Sequence, residues 1–405
     1  MNRGFYTILT AQFFSALADN ALLFAAIALL MSLSAPDWHV PLLQQFFIIS
    51  YILLAPFVGA FADSYPKGSV MFISNTIKIM GCTAMLAGMQ PLYAYAIVGL
   101  GAAAYSPAKY GILTEYLPPS LLVKANSWME GATVAAIILG AIIGGLMISP
   151  EFVGAALIDW GWAEWISTPK FAIVLILFLY AIAAWFNLYI PRLPPDHRIA
   201  KRNPWFLLRD FWHSFKLLWK DPLGQVSLAV TTLFWGVGAT LRLVVLAWAA
   251  FNLNFDLTEA TQLTAVSAVG IAVGAAMAGK WIQLENSVKV LPAGIVLGFA
   301  VIALIFVTEW HIAAFLLFFI GVLSGFFVVP LNALLQHRGH LLMGAGHSIA
   351  IQNFNENLGI LLLLGIYAAM VSEGVHIHWI VALFGLFISL MMTAIWRRHH
   401  NDEVR

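Results

Sequence analysis

The sequence predicts an all-α polytopic membrane protein of two pseudo-symmetric six-helix halves. Three observations carry that expectation: composition, the length of the apolar runs, and the side on which the basic residues fall. Of the 405 residues, 61% are hydrophobic and only 10% are charged, with a mean hydropathy of +0.88. Soluble domains carry about 25% charged residues, so lipid is the expected solvent. A net charge of +1 gives no electrostatic case for a nucleic-acid partner. Cys82 is the sole cysteine, which excludes an intramolecular disulfide. The first apolar run is too long for a signal-peptide core and no small-residue cleavage site follows it, so the N-terminus is expected to be retained.

A helix needs about 20 apolar residues to cross the hydrocarbon core. Punctuation by Pro, Gly and charge clusters predicts twelve such spans. The first six lie at 5–33, 42–62, 69–88, 92–116, 122–147 and 170–190. The second six lie at 223–251, 260–282, 288–308, 311–336, 345–371 and 377–396. Loops after even-numbered spans hold Lys67, Lys124, seven basic residues from Arg192 to Lys220, Lys280, Lys289 and Arg338, while Lys170 alone follows an odd-numbered span. Arg3, Arg397, Arg398 and Arg405 lie at the termini. By the positive-inside rule, both termini and the central loop are expected in the cytoplasm.

Three domains follow from this count: a first half at 1–190, a linker at 191–221 and a second half at 222–405. The linker opens with a proline-rich turn, PRLPPDHR, and continues as WFLLRDFWHSFKLLWK. There Trp205, Leu208, Phe211, Trp212, Phe215, Leu218 and Trp219 recur at helical spacing, with Arg209, His213, Lys216 and Lys220 opposite. Such a helix is suited to lie in the interface against anionic lipid, and is read first as a tether between the halves. The segment EFVGAALIDWGWAEW is similarly expected on the outer interface.

Within the oily runs a few polar residues stand out. FSALADNALLF places Asp19 and Asn20 in mid-span, where an aspartate costs about 2.5–3.5 kcal/mol on insertion scales. Transporters are often built from internal repeats, and a register of 223 positions relates Pro107 in YSPAKYGIL to Pro330 in VVPLNALL. The same register sets Asp19 opposite Arg242, and a nearby one, 226 positions, relates Glu130 to Glu356. Gly140, Gly144 and Gly145 form a small-residue face that allows close helix approach. Lys78 is expected to snorkel to an interface. Glu130 is read either as a partner of Asn126, one turn earlier, or as a functional carboxylate.

GAFADSYPKG, with Gly59, Asp63 and Lys67, resembles the signature loop of the major facilitator superfamily, although residue 286 in the second half is Asn where Asp is expected. Within that superfamily the chain resembles the bacterial lysophospholipid transporters. That resemblance rests on AQFFSALADNALLFA, YILLAPFVGAFADS, GAAAYSPAKYGIL, VKAN, FWGVGATLR, GFFVVPLNALLQ and QNFNEN. It covers nearly every part of the chain except 148–170 and most of the linker.

The resemblance implies facilitated flipping of lysophosphatidylethanolamine and lysophosphatidylglycerol from the outer to the inner leaflet of the bacterial inner membrane, without a cofactor. It also implies a separate cytoplasmic acyltransferase/acyl-ACP synthetase that restores the second chain. In the resembling fold, spans one, four, seven and ten line the cavity and contribute Asp19, Asn20, Lys109, Arg242 and Asn332. Arg242 is then expected on the phosphate, since guanidinium matches phosphate oxygens bidentately, with Lys109 a looser partner. Asp19 and Glu356 would meet the ammonium or hold Arg242 in the empty cavity, and Gln352, Asn353 and Asn357 would hydrogen-bond the glycerol. Gly59, Asp63, Lys67 and Glu130 are the expected conformational residues, with Asp63 and Lys67 tying span two to a neighbouring helix end.

Three other functions are open to such a chain. A proton-coupled drug or metabolite transporter would use Asp19 or Glu356 as its proton site. The drug/proton antiporters of the superfamily carry a proline in a span-five motif, where this chain reads IIGG. A passive scramblase would carry diacyl lipids and tolerate loss of Arg242. An enzyme finds no support: no histidine has Asp five residues later, as a membrane acyltransferase base would. The Gly279-Lys280 pair is followed by Trp281, not by the Ser or Thr of a phosphate-binding loop.

Overall fold

A computed structural model of the chain describes residues 1–36, 39–159, 161–162, 165–194 and 203–403. The end of the expected proline-rich turn, with Arg198, Lys201, Arg202 and Arg405, lies outside the described residues, as do 160, 163 and 164 of the expected outer segment. Among the described residues all regular structure is helical. The order is α1 (Arg3–Ser32), α2 (His39–Ser64), α3 (Lys67–Leu86), α4 (Pro91–Tyr116), α5 (Pro119–Ile148), α6 (Ala155–Asp159) and α7 (Thr168–Asn187). There follow α8 (Pro204–Lys220), α9 (Pro222–Asn252), α10 (Leu257–Trp281), α11 (Leu291–Ala303), α12 (Trp310–Met343), α13 (Ala345–Ser372) and α14 (Ile377–Glu403).

Twelve of these helices occupy the twelve expected spans, and α6 and α8 lie between them. Eleven are long and apolar enough to cross a membrane, the eleventh-helix region counting as one run from Leu284 to Phe306 with its flanking 3₁₀ turns. The remaining helix, α4, holds five tyrosines, Ser106, Lys109 and an internal Pro107, and that polarity lowers its hydropathy. Helix starts follow ordinary capping chemistry. Asn2 caps α1, Asp221 caps α9 ahead of Pro222, and Asp256 and Glu259 form a reciprocal capping box on α10.

The helices group into two compact units. One comprises Met1–Glu115, Ala135–Phe211 and Gly344–Ala350; the other comprises Tyr116–Val134, Trp212–Met343 and Ile351–Arg405. In the first, α7 packs on α1 and α3, around a core that includes Leu22, Leu29, Met85, Ile173 and Ile176. Gly140 and Gly144 of α5 meet Leu17, Asn20 and Ala21 of α1, while Gly145, a further helical step round, faces open space. The expected small-residue face is therefore two glycines wide.

In the second unit α10 packs on α12 and α11 on α14. The α10–α12 seam is backbone on backbone: a Cβ on Gly274 would overlap the Val322 carbonyl, and one on Gly321 the Ser267 carbonyl. The linker helix α8 forms as its periodicity predicts. Its apolar face is divided: Phe211 and Leu218 are buried, Trp212 and Phe215 set their rings edge-on to Phe354 at 6.0 and 6.1 Å, and Trp205 is exposed.

Candidate functional site

In the first unit the polar residues of α1 recur at helical spacing, Gln12, Ser15 and Asp19, so they share one face. Asn75 and Lys78 of α3 meet that face. Lys78 Nζ donates to both Asp19 carboxylate oxygens at 2.8 Å and to Ser15 Oγ at 3.0 Å, which uses its three N–H donors. Ser15 in turn donates to Asn75 Oδ1 at 2.8 Å, and the Tyr180 hydroxyl of α7 donates to Asp19 Oδ1 at 2.7 Å. The Tyr105 and Tyr180 rings stand 4.9 and 5.4 Å from the ammonium, within cation–π range.

The lysine side chain is 1% exposed and the aspartate 24%, so the carboxylate is the end of this network that reaches open space. It lines a cavity of about 360 Å³ with Asn20, Gln44, Leu23, Phe47 and Ile48. Asn20 donates its amide to the Ala16 carbonyl.

One expectation is corrected here. Lys78 does not snorkel: it sits buried midway along α3, and a partly buried carboxylate within reach offers a better partner than a distant interface. Within the first unit, Asp19 is held by Lys78 and Tyr180. The repeat register equates positions in related spans, and equivalence by symmetry carries no information on contact.

A second cluster of the same unit gathers at the end of α2. The Asp63 carboxylate accepts from the backbone amides of Gly346 and His347, at 2.7 and 2.9 Å, and lies 2.7 Å from His347 Nδ1. It caps the first turn of α13, where the amides are otherwise unpaired. Lys67 bridges Asp63 at 2.9 Å and Glu115 at 3.0 Å, all three side chains being buried. His347 Nε2 faces Asp210 of α8 at 3.2 Å. Gly59 lies one turn before Asp63, where a side chain would press on His347 and Ala350. Lys109 is half-buried, its ammonium 4.3 Å from the Tyr110 ring.

In the second unit, Gln352 donates one amide to Asn332 Oδ1 at 2.8 Å and to Glu356 Oε1 at 2.7 Å. These three side chains are buried and bring α12 and α13 together, whereas Asn353 and Asn357 are linked one turn apart along α13, Asn357 donating to the Asn353 carbonyl. Arg242 of α9 is exposed. Asn126 exchanges two hydrogen bonds with Gln336, at 2.9 and 2.8 Å, and donates to the Leu122 carbonyl. The Asn126 partner is therefore Gln336, not Glu130, which is itself 7% exposed.

Sequence reasoning missed Ser15, Tyr180, His347, Asp210, Glu115 and Gln336. Lys78 carried one usable signal, its position at the middle of a predicted span. The others are common residues whose role depends on helix rotation. Among the described residues no cluster of histidine, cysteine and carboxylate side chains is arranged to hold a metal.

Comparison with known proteins identifies the family of the chain. The model of the Major Facilitator Superfamily matches residues 8–363. A protein of Serratia proteamaculans (strain 568), called lysophospholipid transporter LplT, is 42% identical over 397 residues, 98% of this chain and 96% of that one. One of the same name from Escherichia coli O1:K1 is 43% identical over 404 residues, 98% and 97% of the two chains. Among solved structures, the chain is similar to the superfamily transporter FucP in the outward conformation, with TM-score 0.77, 10% identity and 98% of both chains covered. A bacterial homologue of the iron transporter ferroportin, in an outward-facing state, gives TM-score 0.73 and 16% identity, over 98% of this chain and 100% of that one. At those identities the structural matches speak to fold alone.

Proposed function

The chain belongs to the major facilitator superfamily and, within it, to the lysophospholipid transporters, and from that membership we propose that it moves monoacyl phospholipids across a bacterial inner membrane. The observation that carries this reading is identity above 40% to proteins of that name over nearly their whole length. The antiporter alternative has no comparable support. Membership also favours a transporter over an enzyme.

A monoacyl lipid has a phosphate head that would lose its hydration in hydrocarbon, at a cost of several kcal/mol without partners. Fixed polar groups along the path replace that hydration while the acyl tail stays in apolar surroundings. Arg242 is the phosphate partner in this reading: it is exposed, and its planar fork fits phosphate oxygens. Lys109 is a second cation for the phosphate. Asp19 and Asn20 meet the head group from α1, and Asn332, Gln352, Asn353, Glu356 and Asn357 supply hydrogen bonds to it from α12 and α13.

The halves 1–190 and 222–405, joined by the linker 191–221, alternate between two arrangements in this reading. Gly59, Asp63, Lys67 and Glu130 set the balance between them. Both termini face the cytoplasm, the direction of movement is outer to inner leaflet, and a separate cytoplasmic acyltransferase/acyl-ACP synthetase consumes the product.

The test is inward movement of labelled lysophosphatidylethanolamine in proteoliposomes. Arg242→Ala is expected to lower the rate at least about tenfold, the scale of losing one hydrogen bond to a charged group, in a protein that still elutes as a single folded species. An unchanged rate overturns the role of Arg242 in the path.

A further inference from the structure

We propose that Lys78 determines which head-group charges the transporter accepts, by cancelling the charge of Asp19 from behind the cavity wall. The inference rests on the lysophospholipid reading above and deepens it.

Among the described residues, Asp19 is the only acidic one lining the cavity beside α1, and no lysine or arginine lines it directly. Lys78 lies one layer further in, 1% exposed, with all three N–H donors committed to Asp19 and Ser15. An approaching head group therefore meets carboxylate atoms but an ion pair of zero net charge. Lysophospholipid heads come in two charge types. The ethanolamine head is zwitterionic, and the glycerol head carries a net negative charge. A bare carboxylate would attract the ammonium of the first and repel the second, whereas a carboxylate neutralised at 2.8 Å leaves both able to enter.

The surrounding geometry suits a fixed neutraliser. Ser15, Tyr180 and the two tyrosine rings hold the ammonium and the carboxylate in one arrangement, so the cancellation does not depend on a mobile side chain. Lys78 is thus a positioning and specificity residue that acts through Asp19 and does not touch lipid.

The experiment is equilibrium competition between lysophosphatidylglycerol and lysophosphatidylethanolamine for the purified full chain in nanodiscs at pH 8. Lys78→Met is expected to lower the glycerol-to-ethanolamine affinity ratio at least about tenfold, since a like-charge juxtaposition costs more than the roughly 1.4 kcal/mol that tenfold represents. Lys78→Arg, which keeps the charge, and Asp19→Asn/Lys78→Met, which removes both charges, are each expected to return the ratio to within about twofold of the parent, a difference of less than about half a kcal/mol. A purely structural lysine would weaken both lipids together and leave the ratio alone, and that result overturns the proposal. Should Lys78→Met not fold, Lys78→Gln, which can still bond Ser15, takes its place: the same tenfold fall is expected, and an unchanged ratio overturns the proposal. A parent protein that binds neither lipid overturns the transporter reading itself, whereas one that binds both with a ratio indifferent to Lys78 overturns only the selectivity role.

Discussion

Asp63 and His347, 284 positions apart in sequence, meet twice: the carboxylate accepts the His347 backbone amide at 2.9 Å and faces its Nδ1 at 2.7 Å. The other ring nitrogen of His347 faces Asp210 at 3.2 Å. One imidazole thus joins the end of α2, the start of α13 and the linker helix α8. Asp63→Ala removes a helix cap and one partner of buried Lys67 at the same time. It is expected to destabilise by about 3 kcal/mol, read as a lowered thermal unfolding midpoint in detergent. His347→Ala leaves the Lys67 bridge in place and is expected to cost about half as much; equal losses would contradict the ranking.

The reciprocal amides of Asn126 and Gln336 make a second test. Asn126→Ala strands a buried amide and is expected to cost about 2 kcal/mol, within the range for an unsatisfied buried polar group. Asn126→Leu/Gln336→Leu removes both partners and is expected to cost less than the two single changes added together. Strict additivity in unfolding midpoints would show that the two side chains act independently.

Close backbone contact between α10 and α12 makes a sharp prediction about glycine. Gly274→Ala places its methyl against a backbone carbonyl that cannot swing aside, so a marked loss of folded protein is expected. Gly145→Ala meets open space and replaces a flexible residue within a helix, a change worth about 0.5–1 kcal/mol in favour of the folded state. Yield and monodispersity on size exclusion distinguish the two outcomes.

Asp221 gives the pH test. Burial works to raise its pKa, but the hydrogen bonds from Arg338 and the Gly224 amide, with the Arg338 charge, outweigh burial and hold it below the ordinary carboxylate value. Arg338 Nε donates to one carboxylate oxygen at 3.1 Å, and its Nη2 to the other. A depressed pKa means the contribution is complete above the unfolded value, about 3.9, and is lost as pH falls through the folded one. Asp221→Asn keeps the α9 cap and loses the charge, so it is expected to cost no more than about 1 kcal/mol at neutral pH. The gap between variant and parent unfolding midpoints should then close as pH falls below about 4. A gap that widens on acidification would contradict the sign.

Much of the fold is legible in the sequence because hydropathy is a one-dimensional signal. Each of the twelve predicted spans coincides with a helix, and the amphipathic period of α8 is visible in its tryptophans and phenylalanines. Contacts between helices depend on rotational phase, which hydropathy does not carry. Asp19 and Lys78 are each conspicuous as charges within apolar runs, yet their pairing across 59 positions needs the helices in place. The internal register leads instead to Arg242, a residue in an equivalent span. His347 and Asp210 give no signal at all: a histidine at a helix start and an aspartate on an amphipathic helix are both ordinary surface residues until a second carboxylate is brought beside them.

Whether this chain carries lysophospholipids is decided by inward movement of labelled monoacyl and diacyl phosphatidylethanolamine into proteoliposomes. The expected result is movement of the monoacyl lipid alone, with transport lost in Arg242→Ala. Equal movement of the diacyl lipid, or none of the monoacyl lipid under any imposed ion gradient, would contradict it.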